Sequence, residues 1–278
     1  MSVAIVTDSA AALPEDLVAR WGIRVVPMWL TVDGHPELEG TRPLDELLAA
    51  PGVLTSAPTP GEFETAVGSA LATADEVVVV TMAASMSATN EAARIGSERF
   101  GAAVRVVDAA SAAGGQALVV LAAAQAATEG VDGATVAARA AGVGARVRLV
   151  ATLPSLDHLV RGGRVPGIAG WAGKRLGINP LFEFRAGAVR TLRPALSGDA
   201  AQDRMVAQVR RGATAGARLH VAALHAQALP VATALLDRVT AEFAPVESFV
   251  GAFGPVMVVH TGPGLAGLAW WWEDAPVV

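Results

Sequence analysis

Short apolar runs alternate with helical segments through the first half of the chain, and this alternation constrains the fold more than any other feature. The run Val77–Thr81 is apolar at nearly every position, which is typical of a parallel strand buried on both faces. Phe63, Val67 and Leu71 have helical spacing. Because strand–helix–strand succession forms crossover units, we predict an α/β/α layered domain with a mainly parallel sheet. The predicted strands are Val3–Val6, Val25–Val32, Val77–Thr81 and Val104–Val107, and the predicted helices include Leu13–Trp21 and Gln116–Thr128.

The pattern changes near Thr152–Ser155, where Leu153-Pro154-Ser155 predicts a junction. Beyond it, Pro180–Phe184 and Ala188–Arg193 flank Ala186-Gly187 and predict a β-hairpin. We therefore predict an α/β protein of two domains, an α/β/α domain at residues 1–152 and an α+β domain at residues 153–278. The other elements predicted after the junction are helices Leu156–Val160, Ala200–Arg211 and Pro230–Glu242, and strands His220–Leu224, Val246–Val250 and Val256–Val259.

Composition excludes several classes of function. The 278 residues include no cysteine, which removes disulfides, thiolate nucleophiles and cysteine-ligated metals. A net charge of −5 without a long basic run argues against nucleic-acid binding. Lys174 is the single lysine, so a Schiff base or a phosphate-loop lysine would have to be this one residue, which argues against both chemistries. No basic leader precedes an apolar segment, and no apolar stretch reaches the roughly 18 residues of a membrane span, so we expect a soluble cytoplasmic protein.

Polar side chains follow the predicted strands, at the sheet edge where ligands of open α/β folds bind. Thr7-Asp8-Ser9 comes after the first strand, and either a turn with a helix cap or a ligand contact accounts for it. In the next segment, a capping box between Thr59 and Glu62 explains those two residues. It leaves Thr55 and Ser56 without a structural role.

Three more segments have both a structural and a functional interpretation. Among Ser85, Ser87 and Thr89, one hydroxyl can cap the next helix, whereas three together favour a shallow anion cradle. His260-Thr261-Gly262-Pro263-Gly264 is predicted to follow another strand. Arg161-Gly162-Gly163-Arg164-Val165 is either a solvated turn or a grip for carboxylate or phosphate. If these segments converge, they form a neutral-to-cationic pocket suited to an anionic head group such as a carboxylate.

Signals for catalysis and for metal binding are weak. The sequence has no G-x-S-x-G elbow, no H-E-x-x-H motif and no Walker loop. Its five histidines are widely spread, so we predict no metal site. Gly262, Gly264 and Gly267 match G-x-G-x-x-G, but the eleven residues after Gly267 leave no room for the rest of a dinucleotide-binding unit.

At these residues, and in the same order along nearly the whole chain, the sequence resembles the DegV family of bacterial fatty-acid-binding proteins. No single motif is specific, but their joint order is. The matching segments are Thr7-Asp8-Ser9, Leu13-Pro14, Val26-Pro27, Thr55-Ser56-Ala57-Pro58-Thr59, Ser87-Ala88-Thr89, Val107-Asp108, Gly114-Gly115, Leu156 with Leu159-Val160-Arg161-Gly162-Gly163-Arg164-Val165, Asn179-Pro180-Leu181 and His260-Thr261-Gly262-Pro263-Gly264.

The resemblance implies an α/β/α domain followed by an α+β domain, with one long-chain fatty acid such as palmitate, stearate or oleate between and within them. It implies that the acyl chain lies in a closed apolar tunnel, and it implies neither a cofactor nor a metal. The residues expected at the carboxylate are Thr55, Ser87 and His260, with Ser56, Thr89 and Thr261 beside them.

The resemblance also implies a partner. Characterised members present the bound acid to a separate fatty acid kinase, which makes an acyl phosphate for phospholipid synthesis. The Gly-Gly-Arg arginine, here Arg164, is implicated in that contact. Ala57 replaces a frequent glutamine, Ala88 replaces the usual glycine, and the family's basic Lys-x-Arg after the hairpin has no clear counterpart. Fatty-acid binding is therefore the firmer expectation.

Two other hypotheses stay open at this stage. A phosphotransferase or serine esterase would use Ser87 and His260, and hydrolysis of ATP or acyl esters would reveal it. A regulatory sensor would bind another protein when loaded with lipid, and it differs from a carrier only in that partner.

Overall fold

The computed structural model of the protein describes residues 1–50, 52–163 and 179–274. Arg164 and Lys174 lie outside these residues. The strands of the described part are β1 (Val3–Asp8), β2 (Arg24–Val26), β3 (Trp29–Val32), β4 (His35–Leu38), β5 (Leu54–Ser56), β6 (Glu76–Thr81), β7 (Val104–Asp108), β8 (Arg148–Thr152), β9 (Asn179–Arg185), β10 (Ala188–Ala195), β11 (Arg218–His225), β12 (Glu247–Ala252) and β13 (Ala266–Glu273).

Helices separate most of these strands. Among the described residues they are α1 (Glu15–Trp21), α2 (Leu44–Ala49), α3 (Pro60–Leu71), α4 (Thr89–Ser97), α5 (Gly114–Thr128), α6 (Gly133–Gly144), α7 (Asp157–Gly162), α8 (Gly198–Arg211), α9 (Leu229–Phe243) and α10 (Pro255–Thr261), with 3-10 turns at Ser9–Ala11 and Glu98–Ala103. In the part of the chain that the structure describes, no helix has the length and apolar character needed to cross a bilayer.

The first sheet is parallel throughout, with the strand order β2-β1-β6-β7. Alternate residues of β6 belong to different cores. Val77 and Val79 pack with α3 through Phe63, whereas Val78 and Val80 belong to the core on the opposite face, which contains α5. Coverage of both faces explains why the strand is continuously apolar. The predicted parallel sheet is confirmed.

The second sheet has the order β10-β9-β8-β13-β11-β12 and is mixed, since β11 and β12 are parallel and the other neighbours antiparallel. The predicted hairpin is present as β9 and β10, and Gly187 has a positive φ of 75° in the turn. Helices α8 and α9 cover the outer face of this sheet. The division at residue 152 stays a prediction, although β8, which ends there, pairs within the second sheet.

Helix α5 lies between the two sheets. It packs on β1 and β6 of the first sheet and on β8, β11 and β13 of the second, and its residues Ala117–Leu121 are completely buried. At its first residue, Gly114, an added Cβ would lie 3.0 Å from the Cβ of Ala222 and 3.1 Å from Leu224 Cδ2. Glycine therefore lets the helix approach the second sheet closely. The layers are α3 with α4, first sheet, α5 with α6, second sheet, and α8 with α9.

The single strand predicted at Val25–Val32 is wrong. The chain forms β2, leaves the parallel sheet, and then forms β3 in a small antiparallel sheet of order β4-β3-β5. Pro27 lies between the two strands and has no N–H to continue a ladder. This small sheet places β5, with Thr55 and Ser56, beside the rest of the fold.

The strand predicted at Val256–Val259 is also wrong, because these residues belong to helix α10. The β-branched valines favour a strand by propensity, but Pro255 occupies the first helical turn, where proline is well tolerated. The strand of this region is β13, which follows the glycine turn and pairs with β8 and β11. His260 therefore lies in the last turn of a helix.

Candidate functional site

A cavity of about 360 Å³ is bounded by β5, the loop after β6, α7 and α10. It brings together five of the predicted site residues from distant parts of the sequence. Those five are Thr55, Ser56, Ser87, His260 and Thr261. We call this space the methionine cavity, for reasons given below, and we call Thr55, Ser87 and His260 the polar cluster.

The contact that joins the two halves of the chain is between Thr55 and His260. Thr55 Oγ1 lies 2.7 Å from His260 Nε2, across 205 residues of sequence. Both side chains are half-buried. β5 holds Thr55 by pairing with Leu30 of β3, and the helical turn of α10 presents the imidazole. This contact gives Thr55 the role that capping did not supply.

Ser87 and Thr89 form a second pair. Ser87 Oγ lies 2.8 Å from Thr89 Oγ1 and accepts a hydrogen bond from Thr89 N–H at 3.3 Å, at the start of α4. Ser87 lines the methionine cavity, whereas Thr89 is completely buried behind it. None of the three hydroxyl residues occupies the cap position, which is Ala88; Ser87, one residue earlier, accepts the hydrogen bond from the first helical N–H instead.

The other two predicted residues that line the cavity, Ser56 and Thr261, differ in exposure. Thr261 is buried, and its hydroxyl donates back to the Met257 carbonyl at 3.1 Å, within its own helix. Ser56 is exposed and lines both the methionine cavity and an adjoining cavity of about 580 Å³. Thr55 and His260 also line both spaces, whereas Ser87 lines the methionine cavity, so the Thr55–His260 contact lies where the two cavities meet.

The glycine-rich segment after α7 provides room for His260. A Cβ at Gly162 would lie 2.7 Å from His260 Nδ1, so a larger residue would displace the imidazole. Gly163 ends the helix with a positive φ of 64°. Arg161 is exposed and lines the adjoining cavity together with His158. The predicted contact residue Arg164 lies outside the described residues.

The Thr7-Asp8-Ser9 segment serves the backbone. Asp8 is completely buried and accepts hydrogen bonds from Ala10 N–H at 3.1 Å, Met82 N–H at 2.9 Å and Gln116 Nε2 at 3.0 Å. Burial raises the pKa of this carboxyl to about 6, although the three donors partly offset the effect. Of the two interpretations of this segment, the structure supports the turn with a cap. Asp8 also anchors the loop that carries Met82 and Ser87.

Ser87 and His260 do not contact each other in the way that a nucleophile and its base do. His260 Nε2 bonds to Thr55, and Ser87 bonds to Thr89. The glycines of the apparent G-x-G-x-x-G motif connect a helix to a strand, the reverse of the strand-to-helix turn of a dinucleotide site. Within the described ranges, no three His, Asp or Glu side chains are grouped to hold a metal ion.

Comparison with known proteins identifies the family. A family model described as "Uncharacterised protein, DegV family" matches residues 2–273. This chain belongs to the DegV family. A DegV domain-containing protein of Mycobacterium tuberculosis is 34% identical over 273 residues, which is 96% of each chain.

Solved DegV structures have the same fold. A DegV family protein from Thermus thermophilus, described by its fatty acid binding, superposes with a TM-score of 0.90 at 28% identity, covering 98% of this chain and 99% of that one. A DegV family protein from Ruminococcus gnavus, solved with vaccenic acid, has a TM-score of 0.86 at 21% identity, over 97% of this chain and 99% of that one. The expected DegV fold is confirmed.

The apolar wall of this DegV cavity was not predicted from the sequence. Four of the six methionines in the chain line it, from three parts of the fold: the segment between β2 and β3, the loop after β6, and α10. Methionine is flexible and polarisable, so such a wall adapts to the shape of an apolar ligand. The only hint in the sequence is that the chain has just six methionines, and their positions do not show that four of them meet in space. The four are Met28, Met82, Met86 and Met257, and Leu159 and Val256 complete the large apolar side chains.

Two of the three departures from the DegV motifs lie in the wall of this cavity. Ala57 and Ala88 both line the methionine cavity. Each therefore contributes a methyl group, and no hydrogen-bonding side chain, to the wall beside the polar cluster.

Proposed function

We propose that this DegV protein binds one long-chain fatty acid, with its carboxylate at the polar cluster and its acyl chain along the methionine wall. The observation that carries the proposal is one cavity that combines Thr55, Ser87 and His260 with four methionines. Each buried CH₂ of an acyl chain contributes about 0.8 kcal/mol, so the polar groups need only orient the acid. The fatty acids bound by the T. thermophilus and R. gnavus proteins support this ligand class.

Two hydrogen bonds, one between Thr55 and His260 and one between Ser87 and Thr89, determine which protons can face the carboxylate. A threonine hydroxyl has one proton, so Thr55 can donate to the ligand only if His260 carries its proton on Nε2 and donates to Thr55. In the same way, Ser87 can donate to the ligand if Thr89 donates to Ser87. Thr89 is then a support for Ser87, and the ligand meets Thr55, Ser87 and the imidazole of His260.

Mass spectrometry of the purified protein tests the proposal. Native spectra give the mass of the loaded protein, and denaturation with solvent extraction releases and identifies the ligand. We expect one fatty acid per chain, with palmitate, stearate and oleate as the first candidates. A protein that is empty and that takes up neither added oleate nor added palmitate contradicts the proposal.

The second part of the proposal is that the bound acid is presented to a separate, cytoplasmic fatty acid kinase. The carboxylate would become the nucleophile that takes the γ-phosphoryl group of ATP, which gives acyl phosphate and ADP. The support is that Thr55 and His260 of the polar cluster also border the adjoining cavity, where a second protein could reach them. The test is Arg164→Ala, which should spare lipid binding and impair kinase-dependent phosphorylation. Loss of lipid binding instead would move Arg164 into the pocket.

The rival hypothesis of a Ser87–His260 enzyme is testable in the same preparation. It requires Ser87 to transfer a proton to His260, and in this structure these residues bond to Thr89 and Thr55 instead. We expect no hydrolysis of ATP or of p-nitrophenyl acyl esters by the purified protein. Turnover that disappears in both Ser87→Ala and His260→Gln would favour the enzyme.

A further inference from the structure

One carboxylate connects two parts of the wall of the methionine cavity. Glu39 Oε1 accepts a hydrogen bond from Val256 N–H at 3.0 Å, in the first turn of α10. Its second oxygen accepts the hydroxyl of Ser9, and Ser9 Oγ accepts Met28 N–H at 3.1 Å. The N–H of Glu39 itself donates to the Met28 carbonyl at 3.0 Å. Since Met28 and Val256 line the cavity, Glu39 links opposite parts of the chain around the ligand space.

Helix α10 lacks a cap of its own, and Glu39 replaces it. The cap position is Gly254, which has no side chain, and Pro255 follows it. The N–H groups of a first helical turn have no partner inside the helix, and a negative charge is favourable there. A Cβ at Gly254 would overlap the Glu39 carboxylate, although the backbone φ of −68° suits any residue. Gly254 therefore makes room for Glu39.

We propose that Glu39 is a positioning residue for the polar cluster. It fixes the start of α10, and His260 comes four residues, or about one helical turn, after Val256. A shift at the start of so short a helix passes directly to the imidazole. The effect on ligand affinity rests on the proposed function, whereas the effect on the position of His260 does not.

The neighbouring Glu37 provides a matched control. It lies on β4, two residues before Glu39, and its carboxylate bonds to Arg42 rather than to α10, with Arg42 Nε at 3.1 Å. Truncating it removes a glutamate from the same segment without touching the cavity. Gly254→Ala provides the second comparison, because it displaces the Glu39 carboxylate without changing that residue.

The experiment measures oleate affinity and the NMR ring signals of His260, assigned with His260→Gln. In Glu39→Ala we expect about tenfold weaker binding and shifted His260 signals, since the helix start loses its cap. Glu39→Gln should stay within about threefold of wild type, because its amide oxygen can accept from Val256 and its NH₂ can donate to Ser9. Gly254→Ala should resemble Glu39→Ala, and Glu37→Ala should resemble wild type.

Two results would overturn the assignment. One is Glu39→Ala with wild-type affinity and unshifted His260 signals. The other is equal loss of affinity in Glu39→Ala and Glu39→Gln with unshifted His260 signals, which indicates a general loss of stability. If wild type fails to bind oleate, the proposed function fails instead. The His260 signals of Glu39→Ala then decide the positioning role alone, with shifted signals supporting it and unshifted signals refuting it.

Discussion

Two polar groups of this protein differ in how their oxygen atoms are used. The first surrounds Asp8, which is completely buried and accepts three hydrogen bonds from within the fold. The second is the polar cluster of Thr55, Ser87 and His260, which is half-buried and lines the methionine cavity, with Thr55 and His260 also bordering the adjoining one. A buried carboxylate fully engaged with the chain stabilises the backbone, whereas groups that face a cavity can rearrange their protons toward a ligand. Substitutions should therefore affect stability at the first and affinity at the second.

The largest expected effect is on stability, in Asp8→Ala. The substitution leaves the N–H groups of Ala10 and Met82 and the amide of Gln116 buried without their acceptor, so we expect a loss of about 3 kcal/mol in the free energy of unfolding. Urea unfolding of the ligand-free protein measures it. The exposed Asp75→Ala is the control and should cost less than about 1 kcal/mol. Equal values for the two variants would contradict the structural role of Asp8.

The pH dependence of stability tests the burial of the same carboxyl. Its pKa is raised from 3.8 to about 6, so below pH 6 the folded protein holds a proton that the unfolded chain has lost. The contribution of Asp8 to stability should therefore increase as pH falls from 7 to 4, by up to about 3 kcal/mol. The observable is the difference in unfolding free energy between wild type and Asp8→Asn, followed across this range. A difference that does not vary with pH is the contrary result.

At the polar cluster the effect should appear in affinity. Thr55→Val and Ser87→Ala should each weaken fatty-acid binding by roughly 1–3 kcal/mol, because each leaves a buried carboxylate short of a donor. Titration calorimetry with oleate measures it, and the melting temperature of the ligand-free protein should change little. Ser85→Ala is the control, since Ser85 Oγ donates to the Gly187 carbonyl at 2.6 Å, away from the cavity. Wild-type affinity in both variants would refute the assignment of the carboxylate.

A smaller effect is expected in Thr89→Val. Thr89 acts through Ser87, whose hydroxyl it orients, so we expect about 1 kcal/mol of lost affinity. The double variant with Ser87→Ala should bind no more weakly than Ser87→Ala alone, because the supported group is already absent. Additive losses in the double variant would show that Thr89 acts independently of Ser87.

The smallest effect is expected at the methionine wall. Met82→Leu conserves volume and should cost less than about 1.5 kcal/mol in affinity for any one acid. The informative quantity is the ratio of stearate to oleate affinity, which a stiffer wall should change. Met205→Leu is the control, since Met205 lies on α8 and is buried in the core on the outer face of the second sheet, away from the cavity. An unchanged ratio in Met82→Leu and in Met257→Leu would mean that the methionines only fill space.

Much of the fold follows from the sequence because burial on both faces leaves a simple pattern. The strand at Val77–Thr81 is almost continuously apolar, and the turn residues Ala186-Gly187 between two apolar runs predict the hairpin. Both wrong predictions followed strand propensity and neglected a neighbouring proline: Val25–Val32 forms two strands rather than one, and Val256–Val259 forms a helix. In each case a proline, Pro27 or Pro255, decides where the element ends or which type it is.

Less of the site could be predicted. Thr55 and Ser56 stood out because capping did not explain them, Ser87 and His260 because they lie in polar segments predicted to follow strands, and the joint order of the DegV motifs then placed Thr55, Ser87 and His260 at one carboxylate. Nothing in the sequence distinguishes Thr89, which supports, from Ser87, which faces the cavity. That distinction depends on the backbone direction at the start of α4, where Ser87 faces the cavity and Thr89, the first residue of the helix, is buried. Glu39 left no signal either, because its partners are backbone N–H groups and Ser9.

Helix α5 has a consequence for the rate at which a ligand could exchange. Because α5 is packed between the two sheets, separating the sheets would expose an almost wholly apolar helix to water, at a large cost in free energy. A hinge between the sheets is therefore a slow route for entry and exit. The faster route is local opening of the short elements α7, α10 and the loop after β6. Opening these short elements would expose fewer apolar side chains than separating the two sheets around α5, so the residence time of a ligand would depend on how often they open.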